Sequence, residues 1–230
     1  MPRMNDTAGQ PDPYAGLLQE LRGPVASIQS YVRTLIARDE ALAPAARATI
    51  HQVILQQAQR LDGFVDDVVL YVRLLGGGVD VAPEPVLVAA LVEGLRIDLG
   101  EPERVAVTGD VLVHADRAAL AASLRRLLRN ALVFGPRHGT VVVDIAANDG
   151  WVEVAVSDSG VGIPAERQAE ALDPFTRALH PEERRKDGVG LGLAVARELV
   201  RLLGGEVGLR DNEPGLTAVV RLPADAASGG

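Results

Sequence analysis

Two glycine-rich segments in the second half of the sequence carry residue types that suit a flat, phosphorylated ligand. The first reads DSGVGIP over residues 158–164 and follows a predicted strand. Its glycines, Gly160 and Gly162, let the backbone turn tightly against a flat ring, while Asp158 offers a carboxylate to an exocyclic amine. The second reads GVGLGL over residues 188–193 and opens a predicted helix. There the bare glycine amides and the positive end of the helix favour phosphate.

A third candidate is Asn130, which lies late in a long predicted helix within the run LLRNA, residues 127–131. Its amide oxygen is a ligand that Mg²⁺ accepts, although asparagines inside helices are also satisfied by ordinary contacts. Phe134 follows one turn later and, taken by itself, is better explained as a core residue. Each of these features alone, like each glycine segment alone, is also found in ordinary turns and helices.

The elements that must position these residues form a predicted α+β sandwich. Hydrophobic periodicity predicts a long helix from Asp116 to about Phe134, then alternating strands over 140–146 and 151–158 joined by a turn at 148–150. The other predicted elements are helices over 88–97 and 189–203, short strands near Val105 and Val111, and strands over 206–209 and 217–222. Helices laid on a sheet in this way bury one shared core.

The first part of the chain contains two apolar stripes that predict a helical hairpin. In both stripes the apolar residues recur at alternate spacings of four and three, as in the seam of packed helices. The stripes are Tyr14, Leu18, Leu21, Val25, Ile28, Val32 and Leu35, and Ile54, Ala58, Leu61, Val65, Val68, Val72 and Leu75. A two-helix unit is too thin to bury both, so we expect a homodimer that completes a four-helix bundle. The alternative is that the stripes pack on the second domain.

A change in composition after the hairpin predicts a domain boundary. Three consecutive glycines, 76–78, are followed by Pro83 and Pro85, and such residues are typical of a flexible connection. We therefore predict a flexible N-terminus over 1–13, the hairpin over 14–78, a second domain over 79–223 and a flexible tail over 224–230.

Composition excludes several classes of function. The formal net charge of −8 repels phosphate backbones, so we expect no nucleic-acid partner, although a local pocket can still hold one nucleotide. The absence of cysteine excludes disulfides, thiolate nucleophiles and thiolate metal sites. No window approaches the roughly 20 apolar residues that span a bilayer, and the polar start lacks a signal-peptide pattern. We expect a cytoplasmic protein with no membrane contact.

The order and spacing of the candidate residues are stronger evidence of function than any one of the residues alone. Asn130, the segment 158–164, the run PFTR over 174–177 and the segment 188–193 together resemble the ATP-binding domain of bacterial sensor histidine kinases. The resemblance covers roughly residues 85–223. The wider superfamily, with gyrase and heat-shock chaperone ATPases, shares the asparagine and glycine segments, whereas the phenylalanine segment before a short lid is typical of the kinases. The resemblance implies ATP and Mg²⁺ as cofactors.

The resemblance also implies a role for each matching residue. Asp158 would read the adenine, and Asn130 would hold Mg²⁺ through the nucleotide. Arg177 would face the γ-phosphate or the hairpin. The other implied nucleotide-binding residues are Phe134, beside the nucleotide, Gly160 and Gly162, after Asp158, and Gly188, Gly190 and Gly192, at the lid hinge beside the phosphates.

The hairpin shows the same resemblance with one change in chemistry. The run ELRGP over residues 20–24 looks like the segment that carries the phosphorylated histidine in this family. Residues 60–61 (RL) and 66–67 (DD) look like its second helix. The acceptor position is occupied by Gln19, whose amide is a poor nucleophile with no accessible deprotonated form near neutral pH. Glu20 stands where the family keeps its general base, as a relic with no imidazole proton to take.

Two further departures from the family pattern affect expected activity. Gly23 stands where the family usually has Thr or Asn to orient water for dephosphorylating a partner, which removes support for a phosphatase role. Val133, three residues after Asn130, stands where many members place Lys or Arg to neutralise phosphate charge. We expect ATP to bind more weakly than in those members, or in an altered pose.

Three functions remain open from the sequence. The first is a pseudokinase: an ATP-binding homodimer that regulates a partner histidine kinase or a response regulator by docking. The second is an enzyme of the same family that phosphorylates histidine on another polypeptide, or hydrolyses ATP slowly. The third is a non-catalytic anti-sigma-type or scaffold module. The two apolar stripes of the hairpin argue against it, because such a module would need no hairpin of this kind.

Overall fold

The computed structural model describes residues 13–38, 41–176 and 190–224, with side chains described from residue 21 onward. The chain divides into two compact units, and the division falls between Asp66 and Asp67. Within the described residues, no helix has the length and apolar character that crossing a membrane requires.

Two long helices make up the N-terminal hairpin. α1 spans Pro13–Arg38 and continues through Pro24, and α2 spans Pro44–Leu75. Pro44 lies in the polar stretch between the two apolar stripes and is the first residue of α2. Proline suits this position because an N–H in the first turn would have no partner within the helix, and because the φ of proline is already helical.

The last turns of α2 belong to the second unit, and an ion pair explains why. The Asp67 carboxylate accepts hydrogen bonds from Nε and Nη2 of Arg126, at 3.1 and 2.6 Å. Both side chains are largely buried, with 25% and 17% of their surfaces exposed. A forked guanidinium on one carboxylate is among the stronger polar contacts in proteins, so it joins this end of α2 firmly to the helix that carries Arg126.

The second unit alternates short strands with helices. Its strands are β1 Glu84–Leu87, β2 Val105–Thr108, β3 Leu112–Ala115, β4 Val141–Asn148, β5 Trp151–Ser157, β6 Glu206–Asp211 and β7 Leu216–Pro223. Its helices are α3 Val88–Asp98, α4 Arg117–Phe134, α5 Ala165–Ala171 and α6 Gly192–Leu202, with a 3₁₀ turn at Pro102–Arg104. The predicted long helix, α4, and the predicted alternating strands, β4 and β5, are confirmed. β1 and α5 were not predicted. α6 begins at Gly192, whereas the sequence pattern predicted a start at 189.

Five strands form one sheet in the order β2-β4-β5-β7-β6. β2 pairs parallel with β4, and the other neighbours pair antiparallel. β1 and β3 form a separate antiparallel pair. Alternate residues of β5, Val152, Val154 and Val156, are buried, because successive side chains in a strand point to opposite faces.

The core lies between this sheet and the helices α3, α4 and α6. On α4 the fully buried residues Leu120, Leu124, Leu127 and Leu128 recur at helical spacing, so one face of the helix is apolar. α6 contributes Ala196 and Val200 to the same core. This arrangement confirms the predicted α+β fold, a helical hairpin followed by an α/β sandwich, and it fixes α4 and α6 as the rigid elements beside the glycine segments.

Asp116 caps α4 and also holds the chain before β1. Its carboxylate accepts from the Ala119 N–H at 2.8 Å and from the Ala82 N–H at 2.9 Å. These backbone hydrogen bonds lower the pKa of Asp116 below its ordinary value, and the bond from Ala82 has the largest effect. The carboxylate therefore stabilises two segments in its charged form.

We expect Asp116→Ala to lower the free energy of unfolding by about 1–3 kcal/mol at neutral pH, since it removes a helix cap and a second charged hydrogen bond. Because the folded-state pKa is lowered, this stabilisation is present above the unfolded-state pKa and is lost as pH falls through the folded value. Urea unfolding across this acid range should show the difference between wild type and Asp116→Ala shrinking. Asp116→Asn keeps a cap, so its smaller loss at neutral pH is the control. An equal difference at all pH values would contradict this account.

Candidate functional site

Asp158 follows β5 directly and is held in place by its own loop and by the neighbouring strand. The residue is 7% exposed, and its Oδ1 accepts from the Gly160 N–H at 2.7 Å. Its own backbone N–H donates to the Leu216 carbonyl at 2.9 Å, which extends the pairing of β5 with β7 by one residue. The hydrogen bond from Gly160 satisfies one oxygen of this buried carboxylate and fixes its orientation.

The segment after Asp158 lies against the C-terminal end of α4. A Cβ placed on Gly160 would be 2.5 Å from the Phe134 carbonyl oxygen, closer than side-chain carbons come to other atoms. A Cβ on Gly135 would lie 3.5 Å from the Asp158 Cβ. Glycine is therefore required at 160 by close backbone approach. The structure brings Phe134, half-buried, and the Asp158 segment together as neighbours.

Asn130 and the second glycine segment meet at the start of α6. A Cβ on Gly192, the first residue of α6, would lie 3.7 Å from Oδ1 of Asn130. Leu191, the residue before this helix, makes no side-chain cap hydrogen bond, and the first N–H groups of a helix suit an anionic ligand. Asn130 could supply an amide oxygen to Mg²⁺ beside such a ligand.

The chemistry of the donors limits how much of a metal site the protein itself supplies. Among the described residues, no group of three or more His, Cys, Asp or Glu side chains is arranged to hold a metal ion. Asn130 would therefore contribute one ligand, with phosphate oxygens and water supplying the rest, as Mg²⁺ commonly accepts.

Gly190 joins the phenylalanine segment to the start of α6. Its φ of +71° is a conformation that favours glycine, and its carbonyl accepts from the Phe175 N–H at 3.0 Å. A Cβ at this position would collide with the Thr176 carbonyl oxygen. The described residues on either side of 177–189, Thr176 and Gly190, are thus in close contact, whereas Arg177 and Gly188 lie outside the described residues.

The remaining predicted residues are Gln19 and Glu20 on the hairpin, Gly162 after Asp158, and Val133 on α4. Gln19 and Glu20 lie in the first half of α1, in the stretch whose side chains are outside the description. Gly162, with φ +68°, faces the β6–β7 turn, and a Cβ there would lie 2.6 Å from the Gly215 carbonyl oxygen. Val133 is half-buried on α4.

The β6–β7 turn contacts the Asp158 segment, and the sequence alone did not predict this contact. The Asn212 side-chain amide donates to the Asp158 carbonyl at 2.8 Å. The run NEPG over 212–215 is rich in turn-forming residues, which predicts a hairpin turn. That signal does not show which segment the turn contacts.

Comparisons with known proteins agree with this geometry. Residues 115–226 match the family described as "Histidine kinase-, DNA gyrase B-, and HSP90-like ATPase". The chain is 32% identical over 225 residues to histidine protein kinase DivJ of Caulobacter vibrioides, covering 94% of this chain and 38% of that one. It is 31% identical over 229 residues to sensor protein PfeS of Pseudomonas aeruginosa, covering 91% of this chain and 46% of that one. The chain thus spans less than half the length of these relatives.

Among solved structures, the histidine kinase AdeS of Acinetobacter baumannii has the same fold. Its TM-score is 0.70 at 19% sequence identity, over 90% of this chain and 98% of that one. Residues 115–226 therefore form an ATP-binding domain of the histidine kinase, gyrase and HSP90 class. With the hairpin in front of it, the chain has the organisation of a sensor histidine kinase core.

Proposed function

We propose that this chain is a pseudokinase of two-component signalling: a homodimer that binds ATP and Mg²⁺ and regulates a partner histidine kinase or a response regulator by docking. Gln19 at the acceptor position of α1 carries the proposal, because an amide supplies no nucleophile of useful strength for phosphoryl transfer. The proposal places the protein in the cytoplasm, where ATP is available, and takes residues 14–78 and 79–223 as its two functional domains.

The proposed nucleotide site uses Asp158 for the base and the start of α6 for the phosphates. The Asp158 carboxylate would accept a hydrogen bond from the exocyclic amine of adenine, whereas guanine presents a carbonyl at the same place and would oppose it. The uncapped amides at Gly192 would bind phosphate. Asn130 would hold Mg²⁺ through the nucleotide, and Phe134 and Gly190 would line the site together with Arg177 and Gly188.

An active enzyme is the second candidate, and the preserved ATP site favours it. Asn130, Asp158 and the glycines are all present, so the chain retains the groups needed to bind and orient ATP for transfer to another polypeptide or to water. Incubation with γ-labelled ATP, with and without a purified candidate partner that has an acceptor histidine but does not label itself, separates the two. The pseudokinase proposal predicts no acid-labile label on either chain, and label on the partner would favour the enzyme.

The homodimer is supported by apolar side chains that the hairpin leaves exposed. Val25 and Val32 on α1 are 40% and 38% exposed, and Val65 and Val72 on α2 are 53% and 62% exposed. Helices with such stripes gain stability by packing into a four-helix bundle, and a second copy supplies the same stripes.

We expect Val65→Glu to dissociate the dimer, because it would bury a charge without a partner in an apolar interface. Light scattering coupled to gel filtration at micromolar concentration should report twice the chain mass for the wild type and the monomer mass for this variant. Gln59→Glu adds the same charge at an exposed polar position of α2 and should remain dimeric. A monomeric wild type would contradict the bundle and favour packing of the stripes on the second domain.

A further inference from the structure

The turn between β6 and β7 holds the backbone of Asp158 from two sides. On one side, the Asp158 N–H donates to the Leu216 carbonyl at 2.9 Å. On the other, the Asp158 carbonyl accepts from the side-chain amide of Asn212 at 2.8 Å. Both peptide groups that flank the Asp158 Cα are therefore tied to residues more than 50 positions later in the chain.

The turn also approaches the loop closely enough to exclude any side chain at Gly215. Gly215 has a φ of +122°, and a Cβ there would overlap the Asp158 carbonyl oxygen and lie 2.9 Å from the Ser159 Cα. Gly215 is buried although its neighbours Asn212 and Pro214 are exposed. The backbone of the turn thus packs directly on the backbone of the Asp158 loop.

Fixing the Asp158 backbone also fixes its carboxylate. The side chain is short, and its Oδ1 is already held by the Gly160 N–H at 2.7 Å. If the peptide that follows Asp158 could rotate, the Gly160 N–H and the carboxylate would move apart. The Asn212 amide opposes that rotation because it binds the carbonyl of the same peptide.

We propose that Asn212 is a positioning residue of the nucleotide site, which acts on the adenine base through Asp158 and sets the geometry that selects the base. This inference rests on the proposed function of Asp158 in reading adenine. The Asn212 side chain donates to the Asp158 carbonyl at 2.8 Å, so it acts through the backbone and need not touch the nucleotide. Gly215 supports it by allowing the turn to approach.

The test uses Asn212→Asp, which keeps the shape of the side chain but replaces the donor amide with an acceptor facing the Asp158 carbonyl. Asn212→Ala removes the donor without adding charge. Asn148→Asp, at the exposed start of the β4–β5 turn, makes the same chemical change away from the site. Circular dichroism should show that all three variants keep the wild-type fold.

The first readout needs no nucleotide. In the free protein, both Asn212 variants should exchange the Gly160 amide proton about tenfold faster than the wild type, since the hydrogen bond to Asp158 is loosened. Exchange at Val154, in the middle of β5, should be unchanged. Equal Gly160 exchange in the wild type and both variants would overturn the inference, whatever the nucleotide binding proves to be.

The second readout is ATP affinity measured by calorimetry. Both Asn212 variants should bind ATP about tenfold more weakly, with Asn148→Asp equal to the wild type. In an Asp158→Ala background, Asn212→Asp should cause no further loss, because residues that act through one group are not additive. Variants within twofold of the wild type, or losses that multiply in the double variant, would overturn the inference. A wild type that binds no ATP would instead contradict the proposed function.

Discussion

We expect Asp158→Ala to bind ATP about ten- to hundredfold more weakly than the wild type. The change removes one charge-assisted hydrogen bond to the exocyclic amine, typically worth about 1.5–3 kcal/mol, and each 1.4 kcal/mol is about tenfold in affinity. Because the buried carboxylate also opposes the guanine carbonyl, the variant should lose much of the preference for ATP over GTP. Calorimetric titration of both nucleotides measures both effects.

The matched control for this prediction is Asp80→Ala, which removes an exposed carboxylate before β1. It should bind ATP as the wild type does, so a general loss of negative charge is separated from the loss of Asp158. If Asp158→Ala binds ATP with wild-type affinity and preference, the adenine is read elsewhere and the assignment of this loop is wrong.

We expect Gln19→His to gain acid-labile phosphorylation on the hairpin, while the wild type shows none. Histidine at this position places an imidazole next in sequence to Glu20, which can then act as its general base. Such base assistance is typically worth about 10²–10⁴-fold in rate. Incubation with γ-labelled ATP, followed by acid and base treatment of the labelled chain and peptide mapping, measures the gain.

Two controls test whether the new histidine is the labelled residue and whether Glu20 acts as its base. Gln19→Ala should remain unlabelled, and Glu20→Gln in the Gln19→His background should lower the rate by about 10²-fold if Glu20 serves as base. A low final rate in Gln19→His would measure the effect of the departures at Val133 and Gly23. Acid-labile label on the wild type, at His51 or any other residue of this chain, would contradict the pseudokinase.

The sequence predicts those parts of the fold whose signals are local. α4 was predictable because Leu120, Leu124 and Leu127 recur at helical spacing beneath an aspartate cap. β4 and β5 alternate buried and exposed residues around a glycine-containing turn. The two glycine segments were predicted because their glycine content and their order along the chain can be read from the amino-acid sequence alone.

The elements that were missed have weak local signals. α5 has the sequence AERQAEA over 165–171, which is too short and too polar to show helical periodicity. β1 has four residues, one of them Pro85, and is stabilised by pairing with β3 rather than by its own pattern. The start of α2 at Pro44 depends on whether that proline ends a loop or opens a helix, and the sequence allows both.

The candidate site shows the same division between local and distant information. Asn130, Asp158 and Gly192 were identifiable from motif spacing. The contact of Asn212 with Asp158 was not, because 54 residues separate them and no repeated pattern links a turn asparagine to a particular carbonyl. The site therefore includes a supporting turn that only three-dimensional structure places beside it.

Nucleotide binding is tested by a calorimetric titration of the wild-type chain with ATP in the presence of Mg²⁺. We expect saturable binding of one nucleotide per chain, weakened when Mg²⁺ is removed because Asn130 would hold the ion through the phosphates. No detectable binding at millimolar ATP, in a chain shown to be folded by circular dichroism, would contradict the central claim that this domain still holds its nucleotide.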